Sequence, residues 1–481
     1  MTDAQFLEWL ERGGARVALV EVDTSTPRYI STFPYSTLPT DTPANVMYLP
    51  VLASSFAFTE RMSLDGSINL SVGTLELHNE DGILDSWLDE VWVNRTISVR
   101  VGDVSWPRSD FRVVFSGVIA ELAANGSTRL SIVLRNKLER LNTPATETLL
   151  GGTTANKDRL LPVTFGECHN ITPLLVDPAE HEYRWHTGAV ERLIEVRDEG
   201  VPVLATANLA AGTFKLVKSP KGAITASVQG ATPYAPTIAS IVRALATAYG
   251  SPTERLSVGD LDFANLTAFD VACPQPTGYY ISDRANVLQV CQDLASSVGA
   301  QAVMSKQGLL RLIRLTLPGA GTPKAIGTKD YEHGTLALSD RSEVIAGIKL
   351  GYCRNWSPQQ SLETGIPAEH RALYEQEWLT ETARDSAVAA NYKLYAELPQ
   401  TDTYLLTAAD TQAEASRRLD LWKVQRNVIK FKGYPHLLLL ELGDSVTVIA
   451  PRFGLSGGKT GVVIGLQSDW IAGRVDVEVL V

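Results

Sequence analysis

Between residues 15 and 145 apolar and polar positions alternate with the period of two that marks half-buried strands. The segments 15–24, 45–52, 66–79, 96–103, 111–122 and 127–136 all carry this alternation or an excess of β-branched residues. In 96–103 it puts Ile97, Val99 and Val101 on one side. Between them, Asp81-Gly82 signals a turn, because glycine accepts positive φ without a Cβ clash. The residues that follow, 83–92, place Ile83, Leu84, Trp87, Leu88 and Val91 along one helical face, which predicts a strand–turn–helix–strand joint. A short amphipathic helix is expected at the start, with Asp3 as N-cap and Phe6, Leu7 and Leu10 on one face.

Residues 143–160 form a turn-rich linker. Beyond it, 202–209, 213–219 and 223–230 read as short strands. Residues 235–249 read as a helix with Pro236 near its first turn and Gly250 at its end. A further helix within 282–300 has Asp283 as cap and Val287, Leu288, Cys291, Leu294 and Val298 as its buried face. A hairpin over 301–317 turns at Gln307-Gly308. Strands at 344–352 and 427–434, a helix at 408–425 and a β-rich end complete the pattern. The expected division is 1–150, 151–265, 266–335 and 336–481, in a β-rich α+β, multidomain chain.

The two ends resemble each other. Residues 99–134 and 440–480 each run through a Gly-Asp pair, a variable hairpin, Gly-Val then Ile, and a last alternating strand after a glycine turn. Gly102-Asp103 then answers Gly443-Asp444, and Gly117 answers Gly461. Such a pattern suggests two copies of one β-barrel.

Composition narrows the function. The 481 residues are 44% hydrophobic, enough for real cores, and the formal net charge of −11 argues against a broad basic groove for nucleic acid. No apolar run is long enough to span a bilayer, and the acidic N-terminal stretch does not read as a signal peptide. Synthesis in the cytosol follows as an expectation. Cys168, Cys273, Cys291 and Cys353 form no C-x-x-C pair and read as buried thiols of a reducing compartment.

Candidate chemistry mostly fails on spacing. A calcium loop with Gly82 at its sixth position would have Leu77 and Leu88 at the first and twelfth, and neither carries a ligand. A phosphate-binding loop ending in Gly458-Lys459-Thr460 is one residue short after Gly454 and precedes strand-like sequence rather than a helix. Ser456 sits in a G-x-S-x-G string, yet no histidine follows it and no helix is expected there. His181 and His186 are five apart, a poor metal spacing on helix or strand. Cys168-His169 would need a third ligand from elsewhere, and Asp260 with Asp262 is too ordinary a loop pair to nominate a glycosidase. The aromatic residues are not interleaved with Lys and Arg as in a nucleic-acid stacking platform.

The order of 75–85, 99–106, 114–122, 161–177, 183–190, the helix–hairpin of 282–317 and the closing 442–470 resembles tail-tip baseplate hub proteins of long-tailed, siphophage-type bacteriophages, relatives of the trimeric central hub of contractile phage baseplates. The resemblance spans nearly the whole chain. It implies two tail-tube-like antiparallel β-barrels, in 1–150 and 336–481, with α/β domains inserted at 151–265 and 266–335. It implies a structural virion protein and not an enzyme, with no catalytic, cofactor-binding or metal residues and no cofactor. The implied partners are two further copies of the chain in a homotrimer, tail-tube and distal tail proteins, and other hub or fibre proteins. DNA would pass the lumen without specific binding, and no stable membrane insertion is implied. The implied location is the virion tail tip, after synthesis in the host cytoplasm. The alternatives are a secreted β-rich carbohydrate-active enzyme, and the hub of a bacterial injection machine or gene-transfer particle.

Overall fold

A computed structural model describes residues 2–62, 71–317, 322–360 and 362–481. The first part of the strand expected at 66–79 lies outside the described residues, and its remainder is present. The chain is β-rich with interspersed helices and folds as two compact units. One comprises Met1–Arg140, Val303–Glu343 and Gln425–Val481, and the other Leu141–Ala302 and Val344–Val424.

Among the described residues the first unit holds two large sheets, besides the two-stranded pairing of Tyr35–Ser36 with Met47–Tyr48. The strands of the large sheets are β1 (Arg16–Val22), β2 (Arg28–Ser31), β3 (Phe58–Arg61), β4 (Ser71–His78), β5 (Thr96–Asp103), β6 (Arg112–Ala124), β7 (Arg129–Asn136), β8 (Lys324–Ile326), β9 (Ala337–Arg341), β10 (Asn427–Gly433), β11 (Ser445–Val448), β12 (Lys459–Asp469) and β13 (Arg474–Leu480). One sheet runs β2-β1-β5-β6-β7-β4 and is antiparallel throughout. The other runs β8-β11-β12-β13-β10-β9, with β3 added beside β12. The inward positions of both sheets meet in one buried apolar cluster that includes Leu75, Val99, Ile119 and Ile132 from the first and Phe431, Val463, Val477 and Val479 from the second.

Helix α1 (Asp3–Glu11) buries Phe6 and Leu10 in that cluster. Its N-cap is Thr2 rather than Asp3. The Thr2 hydroxyl accepts from Gln5 N–H at 3.3 Å while Gln5 Oε1 accepts from Thr2 N–H at 2.9 Å, a reciprocal capping box. Asp3 is left free to pair with Arg112.

The helix expected over 83–92 is only a 3-10 turn, Asp85–Asp89. Ile83, Leu88 and Val91 are exposed, while Leu84, Trp87 and Trp92 are buried. The cause is local. The Asn79 side chain accepts from Leu84 N–H at 2.9 Å and donates to Asp85 Oδ1 at 2.7 Å, and Trp92 Nε1 donates to the Trp87 carbonyl at 2.8 Å. These bonds fold the segment back before an α-helical turn can repeat. The strand expected over 45–52 is reduced to a two-residue strand, Met47–Tyr48, with Pro50, which has no N–H to give a ladder, following.

The second unit contains three sheets. One joins 201–202, 190–198, 224–231, 163–171 and 278–281; another joins 174–177, 182–184, 213–216 and 205–208; a small one joins 379–384, 347–352 and 400–402. Helix Ile238–Ala248 opens at Thr237, one residue after Pro236, and is followed by Gly250 at φ 80°. Helix Val287–Ser296 buries Val287, Leu288, Cys291 and Leu294 as expected, but Asp283 does not cap it. The chain enters this helix at Asn286, whose side chain donates instead to Asn142. Helix Ala408–Trp422 is present as expected. Among the described residues no helix is long and apolar enough to cross a membrane.

Gly117 and Gly461 lie where a neighbouring strand passes too close for a side chain. A Cβ would sit 2.4 Å from the Arg135 carbonyl oxygen in one case and 2.3 Å from that of Leu480 in the other. Gly117→Ala and Gly461→Ala should each lower stability by about 1–3 kcal/mol, the usual cost of overpacking. Denaturant unfolding of the full chain checks both, and a neutral effect at both positions would contradict the close approach.

Candidate assembly site

Two runs in the first unit share one order of elements. Strand β4, a 3-10 turn, β5, β6 and β7 are matched by β10, a 3-10 turn (Pro435–Leu437), β11, β12 and β13. The sheet neighbours correspond as well, β5-β6-β7-β4 against β11-β12-β13-β10. Register makes the match residue by residue. Gly117 stands opposite Ile97, and Gly461 opposite Val446. Both long strands then bulge at the same place, between Ile119 and Glu121 and between Val463 and Gly465. Equivalent pairs are buried alike: Leu75 and Phe431, Val118 and Val462, Ile132 and Val477, Leu134 and Val479.

The bond that opens each copy also recurs. Asn94 N–H donates to the Ile119 carbonyl at 2.8 Å, and Ile119 N–H donates back to Arg95 O at 3.0 Å. Gly443 N–H donates to Val463 O, and Val463 N–H donates back to Asp444 O, both at 2.9 Å. Asn94 has φ 61° and Gly443 φ 88°. Asparagine and glycine are the residues that enter this left-handed region most readily.

This register corrects one sequence expectation. Gly117 does answer Gly461, but Gly443-Asp444 answers Asn94-Arg95, not Gly102-Asp103. Gly102 lies at the far end of β5 without positive φ, and it is required because a Cβ would fall 2.7 Å from the Phe111 ring. Asp103 accepts from Ser105 N–H at 3.0 Å, two residues on, as expected of such a turn. Asp444 behaves differently and accepts from Glu441 N–H at 2.9 Å, three residues back.

The two sheets are tied by β3. This strand precedes β4 of the first copy in the chain, yet pairs antiparallel with β12 of the second, Arg61 opposite Gly465 through Phe58 opposite Ser468. Met62 N–H extends the ladder to Ile464 O at 2.8 Å. The strand brings Glu60 into the interior, 3.6 Å from the Lys306 ammonium at the tip of the 301–317 hairpin. Lys306 donates to the Leu438 and Leu440 carbonyls at 3.0 and 2.8 Å and lies 5.7 Å from the Trp470 ring centre. Arg311 pairs with Glu441 beside it. Burial pushes the Glu60 carboxyl up, and Lys306 opposes that rise without cancelling it. Burial raises Asp444 as well. On the open face, Glu478 takes Arg61 at 3.3 Å and Lys430 at 2.8 Å across a cleft of about 470 Å³.

The residues weighed for chemistry are held apart or in structural work. The Cys168 thiol is fully buried, donates to Phe165 O at 3.6 Å, and is pushed well above its ordinary pKa by burial. His169 instead pairs with Glu167 at 3.2 Å. His186 is buried, accepts from Thr164 N–H at 3.0 Å, and is lowered to about 4 by burial. His181 meets Ser219 Oγ at 3.0 Å. Asp260 accepts from Ser257 N–H and Asp262 from Asn265 N–H, both as local caps. Ser456 and Gly458-Lys459-Thr460 lie in the turn between β11 and β12 and at the start of β12, a strand. Among the described residues no group of three or more His, Cys, Asp or Glu is placed to hold a metal. The Glu60–Lys306 joint escapes sequence reasoning because a lysine before a Gln-Gly turn reads as a solvated loop residue.

No family model and no curated protein matches the chain. Among solved structures it is similar to a tail protein from Neisseria meningitidis MC58, with 11% identity over 97% of both chains and a TM-score of 0.40. It is also similar to the 43 kDa tail protein of prophage MuSo2 from Shewanella oneidensis, with 12% identity over 97% of this chain and 98% of that one and a TM-score of 0.43. A chain in the virion of a native gene transfer agent particle is 14% identical over 72% of this chain and 91% of its own length, with a TM-score of 0.42.

Three predictions follow from the repeat and the joint. Gly443→Val should cost about 1–3 kcal/mol by forcing a β-branched residue into positive φ. Gly443→Asn should cost less, because Asn94 holds the same place in the other copy; equal costs in chemical denaturation would contradict the equivalence. Lys306→Met should cost about 3–5 kcal/mol by leaving Glu60 buried without its cation. A carboxyl raised in the folded state contributes stability at low pH that is lost as pH rises through its folded pKa. Glu60→Gln should therefore flatten the fall in Tm on going from about pH 4 toward neutrality. An unchanged slope would contradict the burial argument.

Proposed function

We propose that the chain is a structural protein of a phage virion, a tail-tip or baseplate hub. It would join the tail tube to distal tail parts and fibres and form part of the channel through which DNA leaves. The observation that carries this reading is the duplicated sheet unit, with its shared bulge and its matching entry bonds at Asn94 and Gly443. A chain with two copies of one unit lets three chains present six equivalent sheets, so that a three-fold assembly can meet a six-fold tube.

In this reading each sheet belongs to a tail-tube-like β-barrel, the first in 1–150 and the second in 336–481. Residues 151–265 and 266–335 would be the inserted α/β domains, with Val303–Glu343 folding in the first unit and Val344–Val424 in the second. The working form is a homotrimer, attached to tail-tube proteins on one side and to other hub or fibre proteins on the other. Its role is mechanical: no residue is assigned to catalysis, to a cofactor or to a metal. An acidic chain, net charge −11, suits a channel that DNA passes without sticking, since phosphates are repelled rather than neutralised. The location is the virion tail tip after synthesis in the host cytoplasm.

The test is to carry an affinity tag on this chain in otherwise intact particles and to image gold-labelled particles by negative stain. Label at the distal end of the tail is the expected result. Label elsewhere on the particle, or a chain that never enters particles, would overturn the reading.

A further inference from the structure

Among the described residues the repeat is complete in its second copy and incomplete in its first. On β12, residues Gly465–Ser468 are paired on one side by β13 and on the other by β3. The equivalent stretch of β6, Glu121–Ala124, is paired by β7 alone among the described strands. Exposure follows. Leu466 is 2% exposed and Ser468 fully buried, while their counterparts Leu122 and Ala124 are half-buried and exposed. A strand edge left open in this way is a ready template for another strand.

The second copy supplies a strand of the kind that fits. The segment before β3 has its own counterpart in the second copy. Ala53 N–H donates to Glu76 O, and Glu332 N–H donates to the equivalent Lys432 O, both at 2.8 Å. His78 N–H donates to Val51 O at 2.8 Å, and Tyr434 N–H donates to Asp330 O at 3.0 Å. The bridges Leu52 with Leu77 and Tyr331 with Gly433 fall at the same place. Five residues beyond the anchors Ala53 and Glu332 begin β3 at Phe58 and β9 at Ala337. Strand β9 is therefore the counterpart of β3. It pairs with β10 on one side, ends its sheet on the other, and exposes Ala337, Ser339, Asp340 and Arg341.

Strand β3 of the first copy completes β12 of the second within one chain. We propose that β9 of one chain completes β6 at Glu121–Ala124 of a second copy of this chain, by antiparallel edge pairing. This rests on the hub reading for the existence of an oligomer, and it names the surfaces that build it. The contact is heterologous, one edge meeting a different edge, so repetition closes a ring or extends a filament. Main-chain hydrogen bonds supply the contact, and the matching geometry of the two copies makes each junction between chains equivalent to the junction within a chain.

Hydrogen exchange on the full-length chain tests this, comparing protein purified as monomer with the same chain in its assembled state. Amides in 120–124 and in 337–341 should slow together, by about tenfold or more, on assembly. Assembly with both segments unchanged would overturn the strand pairing and leave the hub reading standing. Slowing of 120–124 without 337–341 would assign the edge to a different occupant and also overturn it. A chain that is monomeric within the particle would overturn both.

Discussion

Strand β3 is the constraint on which the first unit depends. It leaves the neighbourhood of one sheet and completes the ladder of the other, so neither sheet can shift without breaking the pairs from Arg61 with Gly465 to Phe58 with Ser468. The cost of this crossing is a carboxylate brought into the interior at Glu60. Lys306 offsets that cost, and two main-chain carbonyls satisfy the remaining donors of the ammonium. A buried charge pair of this sort contributes little net stability, but removing one member is expensive. It acts as a pin that fixes where the hairpin of 301–317, the turn at 437–444 and β3 meet.

Around that pin the two copies are alike where backbone geometry is demanding and different where it is not. The bulge, the close-approach glycine and the left-handed entry residue recur at equivalent positions. The outer strands do not: β1 lies antiparallel to β5, whereas β8 lies parallel to β11. Side-chain identity is kept only as apolar character, as in Leu75 with Phe431 and Ile119 with Val463. Selection on a shared sheet geometry leaves this kind of trace, because a bulge register tolerates many side chains and few backbones.

Much of the fold was legible in the sequence where a strong period met a local signal. Strand β5 begins and ends where alternation predicts, and Gly117 with Gly461 marks the repeat. The failures have physical causes. The 83–92 segment has helical spacing, but the bonds from Asn79 fold it into a single 3-10 turn. The Gly-Asp match misled because the true counterpart of Gly443 is Asn94, a different residue with the same backbone freedom. The joint at Glu60 was invisible, since two residues 246 positions apart share no local pattern. Of the residues weighed for chemistry, Cys168 and His169 take separate partners, and so do His181 and His186.

Duplication of one sheet unit would let three chains supply six matching sheets, as proposed above. A density reconstruction of the assembled particle at the position of this chain tests it most directly. The expected result is three copies, with the β5-β6-β7-β4 and β11-β12-β13-β10 sheets alternating around the axis at equal radius. A different number of copies, or the two sheets at unequal radii and in unrelated orientations, would contradict it.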